Sequence, residues 1–141
     1  CVYEEKDRFI CITNPDKVCI EFSMVPRLIQ SHVQVYGNAG KVALQYGPVV
    51  YCMEAVDNGE NLHGLYLNPD AEIEVSYDET FGLPILLVQG LRKKETADLY
   101  TEWSREAEKN AYEKVNLKFI PYSCYANRGE TDMMVWVNVK S

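Results

Sequence analysis

An all-β fold, an antiparallel sandwich of the jelly-roll kind, is what this sequence predicts, and three observations predict it. Segments in which apolar and polar residues alternate recur along the chain. Clusters of Gly, Pro, Asn and Asp separate them at short intervals. Only one stretch, near 97–112, has the composition of a helix.

In "VCIEFSM" at 18–24, Val18, Ile20, Phe22 and Met24 share one face and Cys19, Glu21 and Ser23 the other, the pattern of a half-buried strand. "SHVQVY", which contains His32, reads as a strand too. "KVALQY" aligns Val42, Leu44 and Tyr46; "EIEVSY" aligns Ile73, Val75 and Tyr77; "KVNLKF" aligns Val115, Leu117 and Phe119. "MMVWVNV" closes the chain, with Val135, Val137 and Val139 alternating against Met134, Trp136 and Asn138. The turns fall at "NPDK" 14–17, "YGNAGK" 36–41, "YGP" 46–48, "DNGEN" 57–61, "NPD" 68–70, "FGLP" 81–84 and "NRGE" 127–130. Between strands, "ADLYTEWSREAEKNAYEK" at 97–114 places Leu99, Trp103 and Ala107 at helical spacing and predicts one short helix or ordered excursion.

With 141 residues, 47% of them hydrophobic, and neither repeat nor low-complexity linker, residues 1–141 read as a single domain. The first residue is Cys, without an initiator Met or a signal pattern, so the chain is expected to be part of something longer. A net charge of −7 with dispersed Lys and Arg argues against nucleic acid and against acidic membrane surfaces as partners. The longest apolar run, "LPILLV" at 83–88, is far shorter than a membrane-spanning helix. Five cysteines, at 1, 11, 19, 52 and 124, form neither an even set nor a Cys-x-x-Cys pair, which suggests reduced thiols and a cytoplasmic location.

The chemistry in the sequence is sparse. His32 and His63 have no Cys or Asp at ligand spacing and no nucleophile beside them, so neither a zinc site nor a Ser-His-Asp site is expected. Glu72 and Glu74 lie on one strand face about 6.6 Å apart, within the span of a glycosidase pair, but alternating acids are common on a solvent face. Glu54 follows an apolar strand and precedes a turn holding Asp57, where it could act chemically or cap the turn. "DNGEN" lacks the acids of a calcium loop and is read as a hairpin turn; "GNAGK" lacks the phosphate-loop pattern. Tyr122, Tyr125 and Trp136 are the aromatics that could stack on a sugar, against the alternative of core packing.

"FIPYSCYANRGETDMMVWV" at 119–137 concentrates these features and admits two readings, a binding loop or a structural corner. In the second, Pro121 and Tyr122 start a strand at a sheet corner, and Asn127 to Gly129 form a hairpin that returns "MMVWVNV" beside it. Gly129 supplies a positive φ, and the Arg128 fork ties carbonyls or an acid across the corner.

Together with "GKVALQYGPVVYCMEAVDNG" at 40–59, this block resembles the C-terminal β region of glycoside hydrolase family 127, the β-L-arabinofuranosidase family. There, "GKVALxRGPLVYCxE.xDN" and "IPYYxWANRGxxxMxVW" segments recur in the same order, and "DKVCIEFSM" at 16–24 is similar to the strand that precedes them. The resemblance singles out Gly47, Pro48, Tyr51, Glu54, Pro121, Tyr122, Asn127, Arg128 and Gly129 as a structural motif or docking surface. It implies an (α/α)6-barrel elsewhere in the parent chain, with a nucleophilic Cys and a zinc ion held by Glu and Cys. No adjacent Cys pair exists here and Cys52 matches the sandwich motif, so no catalytic residue, zinc ligand or other cofactor site is carried over. Tyr46 stands where the family usually has Arg, which puts any barrel contact of that Arg in doubt, and Tyr125 stands where Trp is frequent. The resemblance thus implies a noncatalytic domain that supports the barrel or an oligomer interface such as a homodimer's. The alternative is a module that binds arabinose-containing glycans.

Overall fold

A computed structural model describes residues 3–141, apart from the side chains of Tyr3 and Lys6. The predicted fold class is the observed one: strands dominate, and the two α-helices are short. The strands are β1 (Tyr3–Lys6), β2 (Phe9–Ile12), β3 (Pro26–Gln30), β4 (Lys41–Tyr46), β5 (Val49–Glu54), β6 (Leu65–Leu67), β7 (Ile73–Tyr77), β8 (Pro84–Lys93), β9 (Tyr112–Pro121), β10 (Met133–Met134) and β11 (Trp136–Val139). The helices are α1 (Ala55–Asn58) and α2 (Arg105–Asn110).

Strands β4, β5, β9, β8, β6 and β11 pair successively, and β11 returns to β4, so the ladder closes around the core. Closure removes most of the exposed edges that an open sheet presents. All these pairings are antiparallel except β6 with β11. Strand β3 extends the sheet beyond β4, β7 adds to β8, and β10 adds to β5.

The turn between β4 and β5 is two residues long, Gly47 and Pro48, with Tyr46 opposite Val49. Gly47 takes φ +56, which suits the first central position of a tight hairpin, and Pro48 needs no backbone donor there. Met24 covers this turn so closely that a Cβ on Gly47 would meet its sulfur.

The longest pairing joins β8 and β9 from Leu86↔Phe119 to Lys93↔Tyr112. Their inward residues Leu86, Val88, Leu117 and Phe119 form one core with Leu44, Tyr51, Met53, Leu65, Leu67 and Val137. A second cluster, Cys52, Phe81, Ile85, Ile120 and Cys124, fills the end near the 119–137 block. Buried Tyr51 links the middle of β5 to the start of β8 by donating its hydroxyl to the Pro84 carbonyl at 2.7 Å. The edge of its ring meets Tyr46. Tyr51→Phe is expected to lower unfolding free energy by about 1–2 kcal/mol, because it leaves that carbonyl unpaired in the core. Urea denaturation measures this, and a midpoint unchanged from the parent would show that the hydrogen bond contributes nothing.

Several sequence expectations are corrected. Residues 18–24 form no strand and pair with none among the described residues, although their alternation is strong. The "SHVQVY" stretch turns instead of extending: Val35 N–H donates to the His32 carbonyl, and a 3-10 turn follows at Tyr36–Asn38. Helical structure in 97–114 is confined to α2, which begins where the Ser104 hydroxyl accepts from Ala107 N–H at 3.1 Å. Leu99 and Trp103 are 97% and 71% exposed, so the apolar stripe meets no surface that could hold a longer helix. "DNGEN" is not a hairpin, because α1 occupies its start and β5 does not pair with the next strand, β6. Pro121 ends β9 rather than starting a strand, and Tyr122–Cys124 is a 3-10 turn. "MMVWVNV" splits at Val135: β10 runs beside β5, and β11 inserts between β4 and β6, so neither returns along β9.

Candidate functional site

The corner where β5 ends gathers Glu54, Asp57, Arg128 and Gly129 of the residues singled out in the sequence. Glu54 is the last residue of β5 and is extended; the chain then turns at once into α1, which sets Asp57 and Asn58 beside it. From the other side comes the turn at 124–129, in which Ala126 takes φ +60 and Gly129 φ +118. Gly129 therefore has the left-handed backbone expected of it, and any residue with a Cβ would be strained there.

Arg128 spans the two segments. Its Nη2 donates to Glu54 Oε2 at 2.6 Å, its Nη1 to Asp57 Oδ1 at 2.9 Å, and Nη2 also to Asp57 Oδ2. The other Glu54 oxygen accepts from Ala126 N–H at 2.8 Å. Glu54 is 1% exposed, and both its oxygens are occupied. It does not cap α1 with its side chain. Planarity and five fixed donors let one guanidinium hold two carboxylates at once, which an ammonium cannot do.

Lys118 from β9 adds a second cation, with Nζ 3.2 Å from Asp57 and 3.5 Å from Asp78. The Phe81 ring lies under both cations, 4.9 Å from the Arg128 guanidinium carbon and 5.3 Å from Lys118 Nζ. Asn58 stitches the layers: its amide donates to the carbonyls of Glu54 and Lys118, and its oxygen accepts from Lys118 N–H at 2.8 Å. Arg92 completes the frame by donating to the Asn58 and Glu60 carbonyls.

The electrostatics follow from this geometry. Burial alone pushes the Asp57 carboxyl up, but hydrogen bonds from Arg128 and Lys118 more than offset it and hold the group below its ordinary value of 3.8. Hydrogen bonding to Asp57, reinforced by Glu54, raises Arg128 above the usual guanidinium range, so it stays charged. A depressed Asp57 contributes stability that is fully present above about pH 4 and lost as pH falls through the folded-state value. Thermal midpoints are expected to fall in that acid window, and Asp57→Asn to flatten this limb. An acid limb unchanged in the variant would remove Asp57 from the explanation.

The cysteines near the corner are sealed. Burial, with the Glu54 charge and Cys124 adding to it, pushes the Cys52 thiol up to about 12. Cys124 is buried and donates to the Phe81 carbonyl. A thiol held protonated, as that of Cys52 is, is neither a nucleophile nor a metal ligand. Among the described residues, no group of three or more His, Cys, Asp or Glu is arranged to hold a metal ion.

The remaining candidates are dispersed. Glu72, just before β7, and Glu74, on β7, are exposed and line an open groove with Asp70, Gln89 and Asn116. Tyr122 and Tyr125 are 50% and 40% exposed after β9, while Trp136 is half-buried on β11 opposite Ala43. Tyr125 alone of the three borders the groove beside the corner, with Val56, Glu60, Gly129 and Glu130. Asn127 is exposed, and its N–H donates to the Cys124 carbonyl. Lys118, Asp78, Phe81 and Asn58 were not foreseen as partners, although Asn58 stands in the "E.xDN" pattern already quoted. Nothing local marks the first three, because they come from separate elements. No helix among the described residues is long and apolar enough to cross a membrane.

Fold and corner together define an all-β sandwich domain whose gathered charges are paired with one another. The model of the glycoside hydrolase family 127 C-terminal domain matches residues 26–138, and the chain belongs to that family. It is 29% identical over 128 residues to the non-reducing end beta-L-arabinofuranosidase of Bifidobacterium longum subsp. longum, covering 85% of this chain and 19% of that protein. A GH127 beta-L-arabinofuranosidase structure from Geobacillus stearothermophilus T6 superposes with TM-score 0.71 at 42% identity, covering 84% of this chain and 19% of that one. Another GH127 beta-arabinofuranosidase structure gives TM-score 0.64 at 30% identity, with coverage of 84% and 18%. The chain thus spans about a fifth of the length of these relatives.

Proposed function

We propose that this domain is noncatalytic and supports the catalytic barrel of a β-L-arabinofuranosidase-like glycoside hydrolase. The carrying observation is the pairing at the corner: Glu54 and Asp57 are both engaged by Arg128, and Lys118 adds to Asp57. A general acid or nucleophile must reach substrate. Glu54, fully enclosed, holds the fold instead. The relatives' length supports a parent chain that carries the barrel elsewhere. The four described cysteines are free thiols, which suits the cytoplasm as the proposed location.

An antibody against this 16.2 kDa chain, used on extracts of the source cells, tests the parentage. A band several times larger is expected, with arabinofuranosidase activity co-purifying with it; a band near 16 kDa overturns the proposal. Aryl arabinofuranosides are expected to stay intact with the 141-residue chain alone, and turnover there would show a catalytic domain.

A glycan-binding role has one feature in its favour, the exposed Tyr125 beside the groove at the corner. Calorimetric titration with arabino-oligosaccharides separates the two readings. The supporting role predicts no saturable heat; binding that disappears in Tyr122, Tyr125 or Trp136 variants would establish the module.

A further inference from the structure

Asn58 and Gly59 are the single Asn-Gly pair in the 141 residues, and such a pair carries chemistry of its own. In a free chain the backbone nitrogen after an asparagine attacks the side-chain amide carbon, and glycine, with no Cβ, hinders that attack least. Ammonia leaves as a succinimide ring closes. Water then opens the ring to aspartate or isoaspartate. The net change is one water taken up and one ammonia released, with nothing oxidised or reduced. Asparagine is accordingly counted among the thermolabile residues.

The folded corner withholds both reacting groups. Gly59 N–H donates to the Ala55 carbonyl at 2.7 Å, so the attacking nitrogen must first lose its place at the end of α1. The nitrogen that would leave is held too: the Asn58 amide, on a residue only 9% exposed, donates to the Glu54 carbonyl at 3.1 Å and the Lys118 carbonyl at 2.9 Å. Its oxygen accepts from Lys118 N–H at 2.8 Å, and the Asn58 main-chain carbonyl accepts from Arg92. The product does not fit the place that the reactant held. Aspartate at 58 would set an oxygen against two carbonyls, acceptor facing acceptor, and would add a third carboxylate next to Glu54 and Asp57. Isoaspartate would lengthen the main chain by one carbon at the joint that Arg92 holds from β8.

We propose that Asn58 is a self-modification site gated by this corner. Each opening that frees Asn58 and Gly59 exposes the pair to deamidation, and the product keeps the corner from closing again. Transient local unfolding thereby becomes irreversible loss. The inference uses only this chain and water, so it stands apart from the domain's supporting role.

Peptide mapping by mass spectrometry tests it, on the full-length native polypeptide held at mildly alkaline pH either folded or in urea. Asn58 is expected to be the first asparagine of this chain to convert in urea, and to convert on the order of 100-fold more slowly in the folded protein. Arg128→Ala, which loosens the corner, is expected to speed conversion in the folded protein by about 10-fold. Leu44→Ala, which opens a cavity in the core on β4, is expected to leave it near the parent's rate. The converted fraction of aged protein, separated by its added charge, is expected to melt below the parent, as is Asn58→Asp if that variant folds. Failure of Asn58 to convert in urea, or equal rates folded and unfolded, overturns the site. Equal acceleration by Arg128→Ala and Leu44→Ala overturns the gate, because global unfolding would then control the reaction. A converted fraction as stable as the parent overturns the irreversible loss.

Discussion

Arg128→Ala is expected to cost about 3 kcal/mol of stability and to lower the thermal midpoint by on the order of 10 °C. The size comes from what remains behind. Glu54 is enclosed, and without Arg128 its Oε2 faces a core in which, among the described residues, the only other donor to that carboxylate is Ala126 N–H. An uncompensated buried charge costs more than the pair contributes, which is why removing one partner is so much worse than removing both. The lower end of the range applies because the Arg128 side chain is 25% exposed and partly screened. The Glu54→Gln, Arg128→Met double variant is accordingly expected to be more stable than Arg128→Ala. Arg128→Lys is expected to recover only part, since an ammonium cannot fork between Glu54 and Asp57. Differential scanning calorimetry of the four proteins checks the ordering. An Arg128→Ala midpoint equal to the parent's would mean that the corner is not structural, and the binding reading of this loop would take its place.

Gly90→Ala has an expected cost of about 2–3 kcal/mol, through crowding rather than charge. Gly90 sits in β8 opposite Leu67 of β6 and Val115 of β9. An added Cβ would lie 2.5 Å from the Tyr66 carbonyl oxygen and 2.6 Å from Leu117 Cδ1. A side-chain end can yield, but the Tyr66 carbonyl belongs to the ladder that closes the ring, so β6 must move. Leu117→Ala alone opens a cavity, and together with Gly90→Ala it frees part of the space the new methyl needs. The double variant is therefore expected to lose less than the sum of the two single losses, measured by urea denaturation. Strict additivity would show that Leu117 does not take part in the clash.

Both effects bear on how the supporting role would appear in a longer enzyme. A domain that buttresses a barrel transmits its own instability, so Arg128→Ala in the parent is expected to shorten its half-life at elevated temperature while leaving KM unchanged. A raised KM at unchanged stability would instead indicate that the corner reaches substrate.

Much of this was legible in the sequence because it is local. Alternation identified the segments that became β4, β7, β9 and β11, since successive side chains in a strand must face opposite ways. Gly47 and Gly129 were readable as turn glycines, and Glu54 and Arg128 as the polar members of two quoted blocks. What the tertiary structure decided is pairing. A strand offers similar donors and acceptors along both edges, so alternation says which face is buried and nothing about which neighbour fills an edge. That is why "MMVWVNV" could be read as returning along β9 when its halves pair with β5, β4 and β6. The same holds at the corner, where Phe81 lies under both Arg128 and Lys118, and Lys118 reaches Asp57 and Asp78, only because elements distant in sequence converge. Segment 18–24 is the limiting case: its residues encode a strand, but strand structure needs a partner's backbone, and none of the described residues supplies one.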